Sequence, residues 1–369
     1  MRKVSRARRW EAGYTLVEML ISTAIMVAVT GSIFSLVNPA QGTSRIQPEA
    51  ADMQQRARIG AEMLYRDLVM AGAGPYQGSA TGSLATYFAP ILPRRLGKIS
   101  PDASTVYKDN TLTIVYVPNT ASQTTIRTDM PLTSSELKVN PQVGCPVASP
   151  PDPLCGFTEG ESVLVFDPST GGFDTFVITR VQEDSLMLQH RGQTLSQVYG
   201  NNSAVTEAQY HTYYHDAAAN RLMHYDGVDT DVPVLDNVVD LKFEYWGDPN
   251  PPKAPVPSPS TGTNCVMSAG VPRLATLAAT TGSLVRLSSS ILTDGAPAWC
   301  GTGTNQFDPD LFRVRKVSVL LRVQASDSSM RGPAGTFFRR AGAGAGPGGW
   351  IPDYEVKFDV TPRNLNLGR

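Results

Sequence analysis

A chain of 369 residues that is 41% hydrophobic and 18% charged has enough apolar material for a large core, which excludes wholesale disorder. Its 32 lysines and arginines stand against 33 acids, a formal net charge of -1, and that balance removes any global electrostatic reason for nucleic acid as the main partner. The four cysteines lack the close two-residue spacing of a zinc knuckle.

Arg2, Lys3, Arg6, Arg8 and Arg9 face a single acid, Glu11, in residues 1–12, and an excess of this sign ahead of an apolar run places this end in the cytoplasm. The twin arginines Arg8 and Arg9 lack the rest of a twin-arginine export signal. No charge occurs over 19–37, a stretch that as helix covers roughly 28 Å, close to the hydrocarbon thickness of a bilayer. One membrane helix over 14–38 is therefore expected. Glu18 stands at the mouth of the run; an acid deep in lipid costs about 2.5 to 3.5 kcal/mol, so it needs a partner or a place at the membrane edge. A secretory signal peptide would need a small-x-small cleavage site, which Val37, Asn38 and Pro39 before Ala40 supply poorly. A plain signal anchor with an incidental Glu18 stays open.

Pro39 and Gly42 weaken the helix after Val37. Beyond Pro48, Met53, Ala57, Ala61, Leu64, Leu68 and Ala71 recur at spacings of three or four. This pattern predicts an amphipathic helix within 39–73, packed by its stripe on the body and stopped by Gly72, Gly74 and Pro75. Arg66 and Asp67 read as solvated helix positions, a functional role being the alternative. The body, 74–369, reads as strand and turn: strands are expected at 111–117, 162–166, 175–181, 186–190, 209–215, 221–225, 234–246, 314–323 and 354–360, forming one or two antiparallel sheets. Leu241, Phe243 and Tyr245 alternate with Lys242 and Glu244, an inward and an outward face. Three Pro/Gly-rich stretches, 141–155, 247–263 and 331–349, read as loops that pack little core, the middle one as a surface insertion, with a divide between two subdomains as the alternative. Cys145 with Cys155 and Cys265 with Cys300 is the easiest of three connectivities to close, because near neighbours lose least entropy; four free thiols remain the alternative.

Motifs for catalysis fall short. His211 and His215 are four apart, but their aromatic-rich surroundings read as strand, where four residues span about 13 Å, too far for one ion. Gly344, Gly346 and Gly349 satisfy a dinucleotide spacing, yet Trp350, Ile351 and Pro352 follow where a helix is needed. Asp226, Asp229 and Asp231 read as a turn around Asp226-Gly227 and not as a calcium loop. The chain is thus expected to be no enzyme and to carry no cofactor and no metal.

The string Gly13-Tyr14-Thr15-Leu16-Val17-Glu18-Met19-Leu20-Ile21 resembles the processing site of type IV prepilins and type II secretion pseudopilins. The resemblance implies a leader, 1–13, cut after Gly13 by prepilin peptidase on the cytoplasmic side, an N-methylated Tyr14, and Glu18 as the fifth mature residue, free to meet the terminal ammonium of a neighbouring subunit. The usual residue after the cut is Phe; Tyr14 keeps the aromatic. The stretches 57–72, 235–246, 313–322 and 360–365 are similar to PilW-type minor pilins and to the GspJ-type pseudopilin. The implied fold is α+β, a long N-terminal helix with a membrane half and an amphipathic half on a large antiparallel β-rich body. The implied role is a minor pilin in filament assembly. Its partners would be the prepilin peptidase and methylase, major and minor pilins and an inner-membrane assembly platform, with nucleic acid reached at most indirectly through DNA uptake. The body would be periplasmic, then on the pilus or cell surface. A type II secretion pseudopilin, or a signal-anchored adhesive module in the periplasm, is the alternative.

Overall fold

The computed structural model describes residues 13–367 apart from 77–79, 119–121, 143, 148, 193, 202, 280–281 and 345–348, and describes no side chains over 36–45. The basic N-terminal residues 1–12 and Gly346 thus lie outside the described residues. The described architecture is α+β: an N-terminal apolar helix and a large antiparallel sheet-rich body with few other helices. Two compact units divide the chain, Met1–Asp52 with Ala325–Pro352 and Met53–Gln324 with Asp353–Arg369.

Helix α1 runs Leu16–Met70 as one element, so the weakening expected at Pro39 and Gly42 does not end it. An internal proline removes one backbone donor and costs about 3 kcal/mol, which a helix of 55 residues offsets through propagation. Leu16–Ser35 is long and apolar enough to cross a membrane, and none of it is buried. In the same unit the Ser326 N–H donates to the Glu49 carboxylate. Turns close the segment through Ala343 N–H to Ser328 O at 2.7 Å and Gly342 N–H to Gly332 O at 2.9 Å. Among the described residues of 331–349 there is no strand, as the composition predicts.

In the second unit the strands follow as β1 (Ile91–Leu92), β2 (Thr111–Tyr116), β3 (Gln123–Thr125), β4 (Glu136–Lys138), β5 (Ser162–Phe166), β6 (Phe173–Val177), β7 (Arg180–Gln182), β8 (Met187–Gln189) and β9 (Ala204–Glu207). After them come β10 (Gln209–Asp216), β11 (Arg221–Tyr225), β12 (Asp231–Asp236), β13 (Val238–Gly247), β14 (Met267–Ser268), β15 (Val271–Pro272), β16 (Val285–Leu287), β17 (Val314–Val323) and β18 (Tyr354–Val360). The described strands form five sheets, ordered β1-β2-β10-β11-β12, β16-β13-β17-β18, β3-β9-β5-β6, β4-β8-β7 and β14-β15. That exceeds the expected one or two, because turns interrupt the runs. The expected strand 175–181 breaks between β6 and β7, and the expected strand 234–246 breaks at Asn237, whose φ of 60° is left-handed and incompatible with a continuing ladder.

Alternation sorts side chains between two cores. From β5, Leu164 and Phe166 join the larger cluster, with Leu64, Leu68, Phe243 and Val319. Val163 and Val165 point into the smaller one, with Ile126, Leu137, Phe176 and Leu188. The smaller core is built from residues 126–205, while β2 and β10, on either side of that segment, pair directly at Gln209↔Tyr116. An inserted piece therefore lies between β2 and β10, and the segment that holds 247–263 is likewise flanked by directly paired strands, β13 and β17, at Gly247↔Val314. The Pro-rich loop supplies no residue to either hydrophobic core, yet it is held down. Pro255 and Pro257 are buried, and the buried Arg313 guanidinium donates to Pro249 O at 2.9 Å, Asn250 O at 2.8 Å and Ala275 O at 2.6 Å.

Candidate functional site

The N-terminal motif is built on the first turn of α1. Gly13 has no atom within 4 Å of where a Cβ would stand, and Tyr14 is 90% exposed. Thr15 precedes the helix, and its N–H and hydroxyl donate to Glu18 Oε2 at 2.8 and 2.9 Å. The Glu18 N–H returns a bond to the Thr15 hydroxyl at 3.3 Å. This reciprocal arrangement is a capping box, legible in the spacing Thr15-x-x-Glu18 but absent from the reading above. A carboxylate here also meets the positive end of the helix dipole. Position matters energetically: at about 0.3 to 0.6 kcal/mol gained per apolar residue and about 2.5 to 3.5 lost for a central acid, Glu18 at mid-membrane would cancel roughly six apolar residues. On the first turn it can reach water.

Both cysteine pairs are bridged. Cys145 joins Cys155 with Cα atoms 5.7 Å apart, and Cys265 joins Cys300 at 5.0 Å, separations ordinary for a disulfide. Each closes a sequence-local loop, the connectivity favoured on entropic grounds, and the four-thiol alternative is set aside.

A second constellation was not legible. Asp67, expected to be solvated, is only 2% exposed. The helical period explains the correction, since position 67 falls on the same stripe as Leu64, Leu68 and Ala71, all fully buried. Arg66, its neighbour, stays exposed as expected and donates through Nε to Asp67 Oδ1 at 3.2 Å. The Tyr213 hydroxyl donates to Asp67 Oδ2 at 2.5 Å. His211 Nδ1 lies 3.4 Å from the same oxygen and 2.7 Å from His224 Nε2. Register creates this meeting: β10 faces β11 at Tyr213↔His224 and β2 at Gln209↔Tyr116, so Tyr116, His211, Tyr213 and His224 share one face of the sheet.

The protons can be placed. Tyr116 donates its hydroxyl proton to Gln209 Oε1 at 2.7 Å, so at 3.1 Å it accepts from His211 Nε2. A neutral ring protonated at Nε2 presents a lone pair at Nδ1. Burial pushes His211 down to about 4 despite the opposing pull of Asp67, and burial also lowers His224. Both rings are neutral at pH 7. His215, four residues along β10, is apart from them and meets Val238 O at 2.9 Å through Nε2.

Four other acids are taken up by turns and ion pairs. Asp226 Oδ1 accepts from the N–H groups of Val228 at 2.8 Å and of Asp229 and Thr230 at 3.1 Å, the turn expected there, while Asp231 takes Tyr214 and Arg95. Asp308 accepts from the Gly295 and Asp310 N–H groups, each at 2.8 Å, and Asp310 pairs with Arg313.

Compared with models of known families, with curated proteins and with solved structures, the chain matches none.

Proposed function

We propose that this chain is a pilin-like assembly subunit, of the minor pilin kind, cleaved after Gly13 by prepilin peptidase, methylated on Tyr14, and incorporated through its apolar helix into a type IV filament. The observation that carries the reading is the placement of one acid, Glu18, on the first turn of an apolar helix with none of its span Leu16–Ser35 buried, five residues after an unobstructed glycine. A long exposed apolar surface is unstable in water and demands lipid or neighbouring helices. The two disulfides suit a body in an oxidising compartment, opposite a basic cytoplasmic leader. Cleavage after Gly13 spares the capping box, since Thr15 and Glu18 both lie downstream of the cut. The mature helix thus keeps its N-terminal cap while a new ammonium appears one residue ahead of it. In the precursor both caps end on Oε2; in a filament the carboxylate is poised for the amine of an adjacent subunit.

Intact-mass analysis of the protein from its native host tests the cut: loss of residues 1–13 with one added methyl group is expected, and retention of Met1 or a cut near Ala40 would sink the assignment. Gly13→Trp should leave an unprocessed precursor. Glu18→Gln is a sharper probe than Glu18→Ala, because Gln preserves the capping box and removes only the charge. It should be processed normally and incorporate poorly, and undiminished incorporation would dismiss the charge pair.

A further inference from the structure

We infer that Asp67, His211 and His224 form a binding site for a divalent transition-metal ion of the zinc class, with Asp67 Oδ2, His211 Nδ1 and His224 Nε2 as ligands. The inference is independent of the filament reading and rests on three observations. First, these three atoms, from one helix and two strands, lie within 4.8 Å of one another, the spacing from which ligands close on a common ion at about 2.0 to 2.2 Å. Second, the surrounding bonds orient them. Tyr116 holds the His211 proton on Nε2 and Arg66 occupies Asp67 Oδ1, so Nδ1 and Oδ2 are turned toward each other with no proton of their own between them. Nδ1, 3.4 Å from Oδ2, now accepts from His224 Nε2, as Oδ2 does from the buried Tyr213 hydroxyl, so the three ligand atoms already converge on one point. Such outer bonds are what fixes ring tautomer and orientation around bound metals. Third, there is a route in. A cavity of about 340 Å³ is lined by His211 together with Glu161, Glu207 and Asp226, acidic groups that draw cations toward that ring.

Binding needs no oxidant and no net proton release. The His224 proton that now bridges to His211 Nδ1 at 2.7 Å moves to the far nitrogen of its own ring, freeing Nε2, and that ring swings outward to widen the pair. Two imidazoles and one carboxylate favour a borderline ion over calcium or magnesium, which prefer all-oxygen sets. The four cysteines offer no competing thiolate, since both pairs are disulfide-bonded.

The test uses the full chain in detergent, stripped with chelator and titrated with zinc chloride, then with cobalt chloride for its visible spectrum. One equivalent of zinc should bind and raise the Tm, calcium chloride should not, and cobalt should give the intense bands of a four- or five-coordinate site. His224→Gln should weaken zinc at least ~100-fold, by loss of one of three protein ligands, while His215→Gln leaves it unchanged. No stoichiometric zinc uptake by the wild type, or a cobalt spectrum of the weak octahedral kind, overturns the proposal. So does zinc binding that survives His224→Gln but is lost in His215→Gln. Should His224→Gln fail to fold, Asp67→Asn, which keeps shape and the Tyr213 contact, takes its place with the same expectation.

Discussion

Helix α1 holds two stretches that place their apolar residues differently, one nearly free of charge and one in which apolar residues alternate with charged ones. Over Leu16–Ser35 the apolar residues point in all directions and none is buried; over 53–70, Met53, Ala57, Leu64 and Leu68 are buried at 0 or 1% exposure, while Ile59 and Tyr65 between them stay open. Apolar content alone therefore does not make a core. Periodicity does, because a sheet can cover only one side of a helix, whereas lipid or a ring of neighbouring helices can cover all of it. The acids obey the same division. Glu18 sits on an open first turn with a local cap, and Asp67 sits inside the stripe, where only dedicated partners make burial tolerable.

The comparison breaks most readily at Leu64. Leu64→Ala should cost about 2 to 5 kcal/mol of body stability through lost burial and a cavity, while Met26→Ala, in the exposed span, should shift the same urea transition by less than about 0.5; equal effects would erase the distinction. Next comes the larger bridge. Serine at both Cys265 and Cys300, which are 35 residues apart, should cost about 3 to 4 kcal/mol on loop-entropy grounds. The change at Cys145 and Cys155, separated by 10, should cost about 1 kcal/mol less, as read by thermal unfolding of both variants. Tyr213→Phe strips Asp67 of its closest donor and should cost about 1 to 3 kcal/mol, against about 0.5 to 2 for the Thr15→Ala cap loss. The second loss should appear only as fraying of the first turn in amide exchange.

The smallest effect is a pH dependence. Burial pushes Glu161 up to about 7, outweighing the Thr158 N–H bond, and Glu207 adds to the rise. A carboxyl whose folded value lies above its unfolded one binds its proton more tightly when folded, so it withdraws stability progressively from about pH 4.5 to about pH 7. Glu161→Gln removes that loss. Its Tm gain over wild type should be larger at pH 8 than at pH 5; a gain that is the same at both values would refute the burial argument.

Much of this was legible because local pattern and tertiary need agree. The stripe through Leu64 and Leu68, the strands Ser162–Phe166, Arg221–Tyr225, Val314–Val323 and Tyr354–Val360, and the inward Leu241, Phe243 and Tyr245 all follow from period alone. Short polar strands such as Gln123–Thr125 and Glu136–Lys138 carry no such signal, since their partners across the sheet supply the order. Asp67 escaped because its charge argued for water more loudly than its place on the stripe argued for burial. His224 escaped because its relation to His211 exists only in the register of β10 on β11, which spacing along the chain does not encode. The capping box at Thr15 and Glu18 was there to be read, hidden behind a motif that invites a different use of the same acid.

The direct pairing of β2 with β10 has a consequence for the history and engineering of the molecule. Tyr116 and Gln209 face each other on adjacent strands, so the segment between them departs and returns at neighbouring points, carrying its own core with it. Such a piece can be enlarged at its outer strands without rewiring the ladder, but it cannot be trimmed away, because it lends Leu164, Phe166 and Phe173 to the larger core. Variation between versions of this chain would then concentrate on the far side of that piece, as tools concentrate at the end of a common handle.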